Sequence, residues 1–470
     1  MSTEARPERE SLRLPARTIA LYAVGSLGTG GYATLPGLVL TYFLTDNLGV
    51  AALAAGLIVT LAKIWDVVID PLIGAASDRQ LARTGSRRGF MVLGALTLPV
   101  FFALTFAVPP SWGPIAGATG VLLAFLATAT SFSLFQVPYV ALPAELTDGY
   151  DERTRLLGWR VIVLTAAILL FGAGGPELRG AGSDQVTGYL VMGVVAGIAI
   201  GIGMLVATRT ADAAARRTAT ASDTVSGRPQ PPDVTAGGIR AQYAAAAHTL
   251  RRSQPFRALL GTFLLQALAT GTMLAAAQYV ATWVLRSEGA VTFLFAALVG
   301  PALVATPLWT LAARRTGKER AFAVAGVLFL LAAASIVGAV WVPGAWIYVS
   351  VAVAGIAYAG LQCLPMAMLP DVISHDRRTS GAGRSGSFTG VWTAGETIGF
   401  ALGASVVALT LAATGYVSAV AGVTASQPAE AVTGIVLSFS ILPALLMAGS
   451  LLTLRGYRLR RANIEQSPAA

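Results

Sequence analysis

The chain has 470 residues, of which 55% are hydrophobic and only 12% are charged. Soluble domains usually carry about a quarter charged residues, so this composition excludes a soluble globular enzyme and indicates an integral membrane protein. The formal net charge is +10, but the basic residues lie in short clusters beside apolar stretches. That distribution is typical of membrane-flanking arginines and argues against a nucleic-acid partner.

Twelve apolar stretches are long enough to cross about 30 Å of hydrocarbon as helices. In chain order they lie near residues 17–45, 50–76, 89–108, 114–140, 157–174, 187–208, 256–285, 289–312, 321–341, 345–369, 387–414 and 429–455. Because backbone polar groups in lipid must be satisfied within their own segment, we predict an all-α membrane protein of twelve transmembrane helices.

One long polar stretch, Arg209 to Pro255, divides the spans into two sets of six. It is rich in Arg, Thr, Ser, Ala and Pro, a composition typical of a mobile linker. We therefore predict five parts: a cytoplasmic tail over 1–16, a first half over 17–208, a cytoplasmic linker over 209–255, a second half over 256–455 and a cytoplasmic tail over 456–470.

Basic residues concentrate at the termini and in the loops that follow even-numbered spans. Short cytoplasmic loops collect Lys and Arg, so both termini are predicted to be cytoplasmic. The loop after the second span contains Asp78, Arg79, Arg87 and Arg88. We expect these side chains to form a gating group at the cytoplasmic side.

The two halves contain similar sequence segments. Leu81-Ala-Arg-Thr-Gly-Ser-Arg-Arg-Gly-Phe90 resembles Leu311-Ala-Ala-Arg-Arg-Thr-Gly-Lys-Glu-Arg-Ala-Phe322, which follows the eighth span. Two similar halves around a central path form the architecture of many secondary transporters. The alternative is that helix–loop junctions in general favour Arg, Gly and Pro.

Ionisable residues within spans are costly unless they are paired or solvated, so each one is a functional candidate. The second span places Asp66 and Asp70 four residues apart on one helix face, with Lys63 one turn earlier. Two adjacent carboxylates supply hard oxygen ligands for Na⁺ or share a proton. The alternative is a static Lys63–Asp66 pair, which leaves Asp70 without an assigned partner.

On the fourth span, Ser133 and Gln136 lie one turn apart and are candidates to complete the cation shell; the alternative is ordinary hydrogen bonding between helices. Arg160, at the start of the fifth span, is either a substrate contact or an interfacial anchor. Glu396 lies inside the eleventh span, so its side chain must be protonated, paired with a cation or exposed to a water-filled cavity. Thr397 is its neighbour, and Trp392 and Tyr42 either contact a solute or pack against other helices.

Three blocks of residues resemble the glycoside–pentoside–hexuronide:cation symporters, the melibiose-permease-like branch of the major facilitator superfamily. They are Lys63-Ile-Trp-Asp66 through Asp70-Pro71-Leu-Ile-Gly74, Val137-Pro138-Tyr139 through Asp151-Glu-Arg-Thr-Arg155, and Leu369-Pro-Asp371-Val-Ile with Gly390-Val-Trp392 and Gly399-Phe-Ala-Leu-Gly403. The resemblance implies the major facilitator fold and cation-coupled transport by alternating access.

By the same resemblance, Asp66 and Asp70 correspond to the family's paired cation ligands and Ser133 to its hydroxyl ligand. Gln136 stands where the family has a third acidic residue. Of the sugar-binding residues only Arg160 is kept, while Thr397 replaces a lysine. The resemblance therefore implies that the cation site is retained and that the galactoside site is not.

We accordingly expect a transporter rather than an enzyme: a symporter of a small solute, with sugars and glycosides as candidates, coupled to Na⁺ or H⁺. The alternative with the same fold is a carrier or exporter of an amphipathic, lipid-like metabolite. No cofactor is expected, and the partners are the solute, a monovalent cation and the lipid bilayer. We expect a monomer in a bacterial plasma (inner) membrane, since the high ratio of Arg to Lys is typical of GC-rich bacterial genomes.

Overall fold

The computed structural model describes residues 13–147, 150–224, 253–380, 385–423, 425–457 and 459. These residues form a helical bundle in which fifteen α-helices account for most of the described part of the chain. Their bounds are α1 Ala16–Val24, α2 Ser26–Asp46, α3 Ala52–Thr84, α4 Arg88–Phe106, α5 Gly113–Leu146, α6 Tyr150–Glu177, α7 Gln185–Ala207, α8 Arg209–Thr224, α9 Gln254–Tyr279, α10 Ala290–Thr316, α11 Lys318–Ser335, α12 Trp346–Ser380, α13 Ser385–Ala413, α14 Ala429–Phe439 and α15 Ile441–Leu454.

The predicted twelve-helix membrane architecture is confirmed. Within the described residues, eleven helical segments are long and apolar enough to cross a membrane. The first predicted span, 17–45, is the twelfth, and it is divided into α1 and α2 at Gly25. The Gly25 amide bonds to the carbonyl of Tyr22, three residues back, which tightens the turn there.

Several helices are longer than their apolar stretches. The second span was predicted to end near residue 76, but α3 continues to Thr84; the tenth was predicted to end near residue 369, but α12 continues to Ser380. Hydropathy reports only the part of a helix that lies in hydrocarbon, so a polar continuation into water is not detected. The basic clusters and their partners are therefore held partly on helices rather than on loops.

The predicted mobile linker is wrong in its first part. Residues Arg209–Thr224 form helix α8, because this segment is rich in Ala and Arg, which favour helices. Helix α8 packs against the ends of α5 and α7, and Arg88 pairs with its Asp212 at 2.9 Å. The rest of the predicted linker, 225–252, lies outside the described residues, as do the predicted tails at 1–12 and 460–470.

The helices pack in two groups. In the first, α4 contacts α5 and α7 while α2 contacts α6; in the second, α10 and α11 contact α12 while α9 contacts α13 and α15. Between the groups, α3 packs on α13, α6 on α10, and α2 on α9. A path between the groups would thus be bordered by helices from both.

The two groups are joined at the side opposite the arginine clusters, which we call the outer side on the predicted orientation. The Ala419 and Ala421 amides donate to the carbonyls of Thr45 and Asn47, both at 3.0 Å, so the end of α2 pairs with the segment after α13. Deeper in the bundle, the Thr60 hydroxyl lies 2.6 Å from the Ser405 hydroxyl between α3 and α13. The outer side is therefore closed.

Close backbone approach explains the glycines of the eleventh span. A Cβ atom at Gly403 would contact the backbone of Gly271, and one at Gly399 would lie 2.7 Å from the Cβ of Ala267. Small residues at such positions let two membrane helices pack backbone to backbone, where van der Waals contact replaces the hydrophobic effect. Helices α9 and α13 are held together in this way.

We expect Gly403→Ala to lower the unfolding temperature of the detergent-purified protein. The added methyl group meets backbone, which cannot rotate away, and overpacking of this kind costs about 1–3 kcal/mol. Gly261→Ala is the matched control, since a Cβ there meets nothing within 4 Å and alanine favours a helix. Equal unfolding temperatures for the two variants would contradict the proposed packing.

Candidate functional site

Helix α3 brings the predicted carboxylates together. Asp66 is 6% exposed, and its Oδ2 lies 3.1 Å from the Nζ of Lys63 one turn away. Asp70 lies one turn further along the same face, close to Asp66, Lys63 and Ser133. Lys63, Asp66 and Asp70 therefore form one cluster on α3, with a net negative charge of one when both carboxyl groups are ionised.

An aromatic ring supports the Lys63 ammonium group. The Nζ atom lies 4.2 Å from the centroid of the Tyr32 ring, and Tyr32 in turn stacks on Phe132, with centroids 4.1 Å apart. A cation over an aromatic face is stabilised by the quadrupole of the ring. Tyr32 is not among the site residues predicted from the sequence; the one signal for it is its position in the glycine-rich part of the first span, where close packing is expected.

Ser133 and Gln136 differ in their surroundings. Ser133 is 2% exposed and faces Asp70, so its hydroxyl belongs to the carboxylate cluster. The Oε1 atom of Gln136 accepts a hydrogen bond of 2.8 Å from the Thr29 hydroxyl. The Gln136 carbonyl oxygen, the atom that would bind a cation, is thus engaged with α2.

Two oxygens of the cluster lack hydrogen bonds. The Oδ1 atoms of Asp66 and of Asp70 are both buried, and neither has a hydrogen-bonding partner. Buried acceptors are nearly always satisfied, so such atoms require an explanation. Together with the Ser133 hydroxyl they form a set of oxygen donors of the kind that a small hard cation or a proton would satisfy. Among the described residues there is no group of three His, Cys, Asp or Glu side chains that would indicate a transition-metal site.

Arg160, on α6, lies over the aromatic ring of Tyr139. Its guanidinium carbon lies 5.5 Å from the Tyr139 ring centroid, and its Nε is buried without a hydrogen bond. The Tyr139 hydroxyl donates to the carbonyl of Tyr22 at 2.7 Å, which fixes the ring. The arginine is thereby oriented while retaining donor capacity.

The second half supplies Glu396 and Thr397 from α13. Both are half-buried, and Glu396 lies near the hydroxyl of Tyr358 on α12, which accepts a hydrogen bond from Gln362 at 2.8 Å. Trp392, one turn away, is 1% exposed and stacks on Phe263 with centroids 4.2 Å apart. In this conformation its ring packs between α9 and α13.

The carboxylates of the two halves lie on the inner side of the closed contact. Asp66 is six residues beyond Thr60 along α3, about 9 Å at the helical rise, and Glu396 precedes Ser405 by nine residues, about 13 Å. Thr60 and Ser405 are the hydroxyls that meet between these helices. Asp66 and Glu396 are therefore at similar depth on opposite sides of the interface between the halves.

Tyr42 is not part of this group. It is 3% exposed and makes an edge contact with Tyr279 of the second half, with centroids 5.2 Å apart. This contact is near the outer end of α2, ten residues or nearly three turns from Tyr32. The structure thus places Tyr42 in the outer closure rather than beside the carboxylates.

The predicted cytoplasmic group is only partly assembled. Arg87 bonds to Asp78 and to Glu145, both at 2.6 Å, and so ties α3 to the end of α5. Arg88 pairs with Asp212 of α8, while Arg79 donates to a carbonyl of its own helix. Glu145 and Asp212 were not among the predicted residues.

Comparison with known proteins agrees with this architecture. Residues 21–461 match the family described as MFS/sugar transport protein. An uncharacterised symporter of Synechocystis, sll1374, is 25% identical over 96% of this chain and 95% of its own. The glucuronide carrier protein homolog of Escherichia coli is 24% identical over 92% and 90%. The inward-open xylose transporter XylE of E. coli superposes with a TM-score of 0.62 at 12% identity, over 95% of this chain and 98% of that one.

The fold and the match over nearly the whole chain define a multi-pass membrane transporter of the major facilitator class, not an enzyme. Within that class, the chain belongs to the MFS/sugar transport protein family, which is the glycoside–pentoside–hexuronide:cation symporter family. The resemblance drawn from the three sequence blocks is thereby confirmed.

We expect Arg87→Gln to destabilise the protein by about 1–3 kcal/mol, because it leaves the partly buried Glu145 without its charged hydrogen bond. Arg88→Gln is the control: its side chain is 50% exposed, and an exposed pair contributes about 0–1 kcal/mol. Thermal unfolding in detergent compares the two. An equal effect of both substitutions would show that the burial of Arg87 does not strengthen its pairs.

Proposed function

We propose that this protein is a symporter that couples the uptake of a small polar solute to one monovalent cation, Na⁺ or H⁺, bound at Asp66 and Asp70. The observation that carries the proposal is the cluster on α3. Lys63 pairs with one of the two carboxylates, Asp66, and one oxygen of each carboxylate lacks a hydrogen bond. One added positive charge would neutralise the cluster.

The physical argument is the cost of uncompensated charge. A net negative charge within the hydrocarbon region is unfavourable, and two neighbouring carboxylates repel each other. A bound cation removes both penalties, so its binding free energy is available to favour one conformation of the transporter. Lys63 already neutralises one of the two carboxylates, so one further positive charge is enough to make the cluster neutral.

The position of the cluster supports coupling. Asp66 and Glu396 lie at similar depth on opposite halves, and Arg160 lies in the first half with free donor capacity. We propose that Arg160, Glu396 and Thr397 contact the solute between the two halves. By linkage, a cation that favours the solute-binding conformation raises the affinity for the solute, and the solute raises the affinity for the cation by the same factor.

The donors and acceptors at this level favour a solute that bears hydroxyl or carboxylate groups. A guanidinium group recognises carboxylates and hydroxyls through fixed N–H donors, and a carboxylate accepts from hydroxyls. The name of the E. coli relative, a glucuronide carrier protein homolog, agrees with a sugar-like solute. The sparse basic residues of the outer loops and the bacterial relatives support placement in a bacterial plasma membrane.

The direct test uses Na⁺ and needs no solute. We expect Na⁺, at constant ionic strength, to raise the unfolding temperature of the purified protein along a saturable curve. A ligand at a hundredfold excess over its Kd stabilises the folded state by about 2.7 kcal/mol. Asp66→Asn and Asp70→Asn are both expected to abolish the effect.

Asp184→Asn is the matched control, since this carboxylate caps α7 in an exposed loop far from the cluster; it should leave the Na⁺ effect unchanged. Suppose instead that Na⁺ has no effect, and that acidification stabilises the wild type but does not stabilise either asparagine variant. The coupling ion is then H⁺. If neither ion acts through Asp66 and Asp70, the symport proposal is wrong, and the uncoupled or lipid-handling carrier takes its place.

Gln136→Glu tests whether the position on α5 belongs to the cation shell. The substitution adds a third carboxylate of the same size, so we expect the Kd for Na⁺ to fall about tenfold, equivalent to ~1.4 kcal/mol. The same thermal titration measures it. Gln185→Glu makes an identical chemical change at the outer, N-terminal end of α7 and should have no effect. An unchanged Kd in both variants would exclude residue 136 from the shell.

A further inference from the structure

A second buried carboxylate lies at the outer end of α2, remote from the cluster on α3. Asp46 is the residue after the predicted first span and is 6% exposed. The Tyr416 hydroxyl lies 2.6 Å from its Oδ1 and 2.8 Å from its Oδ2, and the Thr45 hydroxyl donates to Oδ2. The carboxyl group is thus enclosed by hydroxyls.

This cluster spans the two halves. Asp46 and Thr45 belong to the first half, whereas Tyr416 and Tyr279 belong to the second; the Tyr279 hydroxyl lies 2.8 Å from that of Thr45. The backbone pairing of residues 45–47 with 419–421 lies beside it. The carboxyl group is therefore buried by the meeting of the outer ends, and separation of these ends would expose it to water.

No positive charge compensates Asp46. Among the described residues, no Lys, Arg or His side chain comes within salt-bridge distance of it. Arg179, a basic residue just beyond the outer end of α6, donates instead to Tyr189 and Gln278. The charged group that acts on Asp46 is the acidic Glu288.

The other groups that face Asp46 are polar and neutral. Thr45 and Tyr42 come from α2, Tyr279 is the last residue of α9 and Trp283 lies in the turn that follows it, and Tyr416 lies in the segment after α13. An ionised carboxylate buried without a cation is costly, and protonation removes the cost.

The hydrogen-bond geometry suits a carboxylic acid. Tyr416 has one hydroxyl hydrogen, yet its oxygen is within hydrogen-bond distance of both Asp46 oxygens. The Trp283 indole N–H also donates to this hydroxyl at 2.9 Å, which leaves one lone pair on the phenol oxygen. A protonated Asp46 can donate to that lone pair while Tyr416 donates to the other carboxyl oxygen.

We propose that Asp46 is a second proton-binding site, separate from Asp66 and Asp70, which binds a proton as the outer ends of the two halves close and releases it to the outside as they separate. Because the proton enters and leaves on the same side, it is not carried across the membrane. Its effect is to make closure of the outer side dependent on external pH. It therefore acts on the conformational equilibrium and not on the stoichiometry of transport.

The test measures the distance between the outer ends by electron paramagnetic resonance. Spin labels are placed at Trp112→Cys and Val423→Cys, two exposed outer-loop positions on opposite halves, in a Cys363→Ser background that removes the native thiol. From about pH 5 to about pH 9, we expect the population with the short distance to fall. Release of one proton on opening changes the ratio of open to closed protein by up to about tenfold per pH unit.

Asp46→Asn mimics the protonated acid and is expected to remain closed at every pH. Asp184→Asn, an exposed carboxylate outside the closure, should behave as the wild type. The double variant Asp66→Asn/Asp70→Asn is expected to keep the pH dependence, so failure of the cation-site proposal and failure of this one are distinguishable.

Tyr416→Phe provides a second route if Asp46→Asn does not fold. It retains the ring but removes a donor to the ionised carboxylate, so the pH midpoint of opening should move upward. The proposal is overturned if the wild-type distances do not change with pH, if Asp46→Asn retains the wild-type pH dependence, or if the double variant abolishes it.

Discussion

The free energy of placing charge in a membrane constrains the rest of this structure. Within hydrocarbon an ionised side chain must be paired, solvated or neutralised by protonation. Lys63 and Asp66 are paired on one helix face, and a tyrosine ring supports the lysine. Asp70 remains as the uncompensated member, half-buried next to a serine hydroxyl, and it is where we propose that one added positive charge binds.

Closure of the outer side extends the same constraint to the interface between the halves. There Arg179 and Glu177 of the first half bond to Gln278 and Thr292 of the second, while hydroxyls, aromatic edges and a short backbone pairing surround the carboxyl group of Asp46. Neutral contacts of this kind separate at lower cost than a buried ion pair, because neither side retains an unpaired charge. The inner carboxylates and the outer closure are thus two polar regions on one interface, connected by the rigid helices α2, α3 and α13.

The sequence predicted much of the candidate site because helical spacing is local. The four-residue interval between Asp66 and Asp70 places them on one face in any helix, and the structure confirms that proximity. The sequence could not show that the Gln136 side chain accepts a hydrogen bond from Thr29, since those residues are far apart along the chain. Trp392 was selected as an aromatic beside Glu396, but only the packing of α9 on α13 decides that its ring is buried against Phe263.

The sequence by itself determined the twelve spans, the paired carboxylates of the second span and the family, because apolar length, helical periodicity and short motifs are properties of neighbouring residues. Only the tertiary structure decided that Tyr32 supports Lys63, that Arg87 joins Glu145 and that Asp46 meets Tyr416. The physical reason is that packing between helices, which brings together residues as far apart as 46 and 416, leaves no periodic signal in either segment.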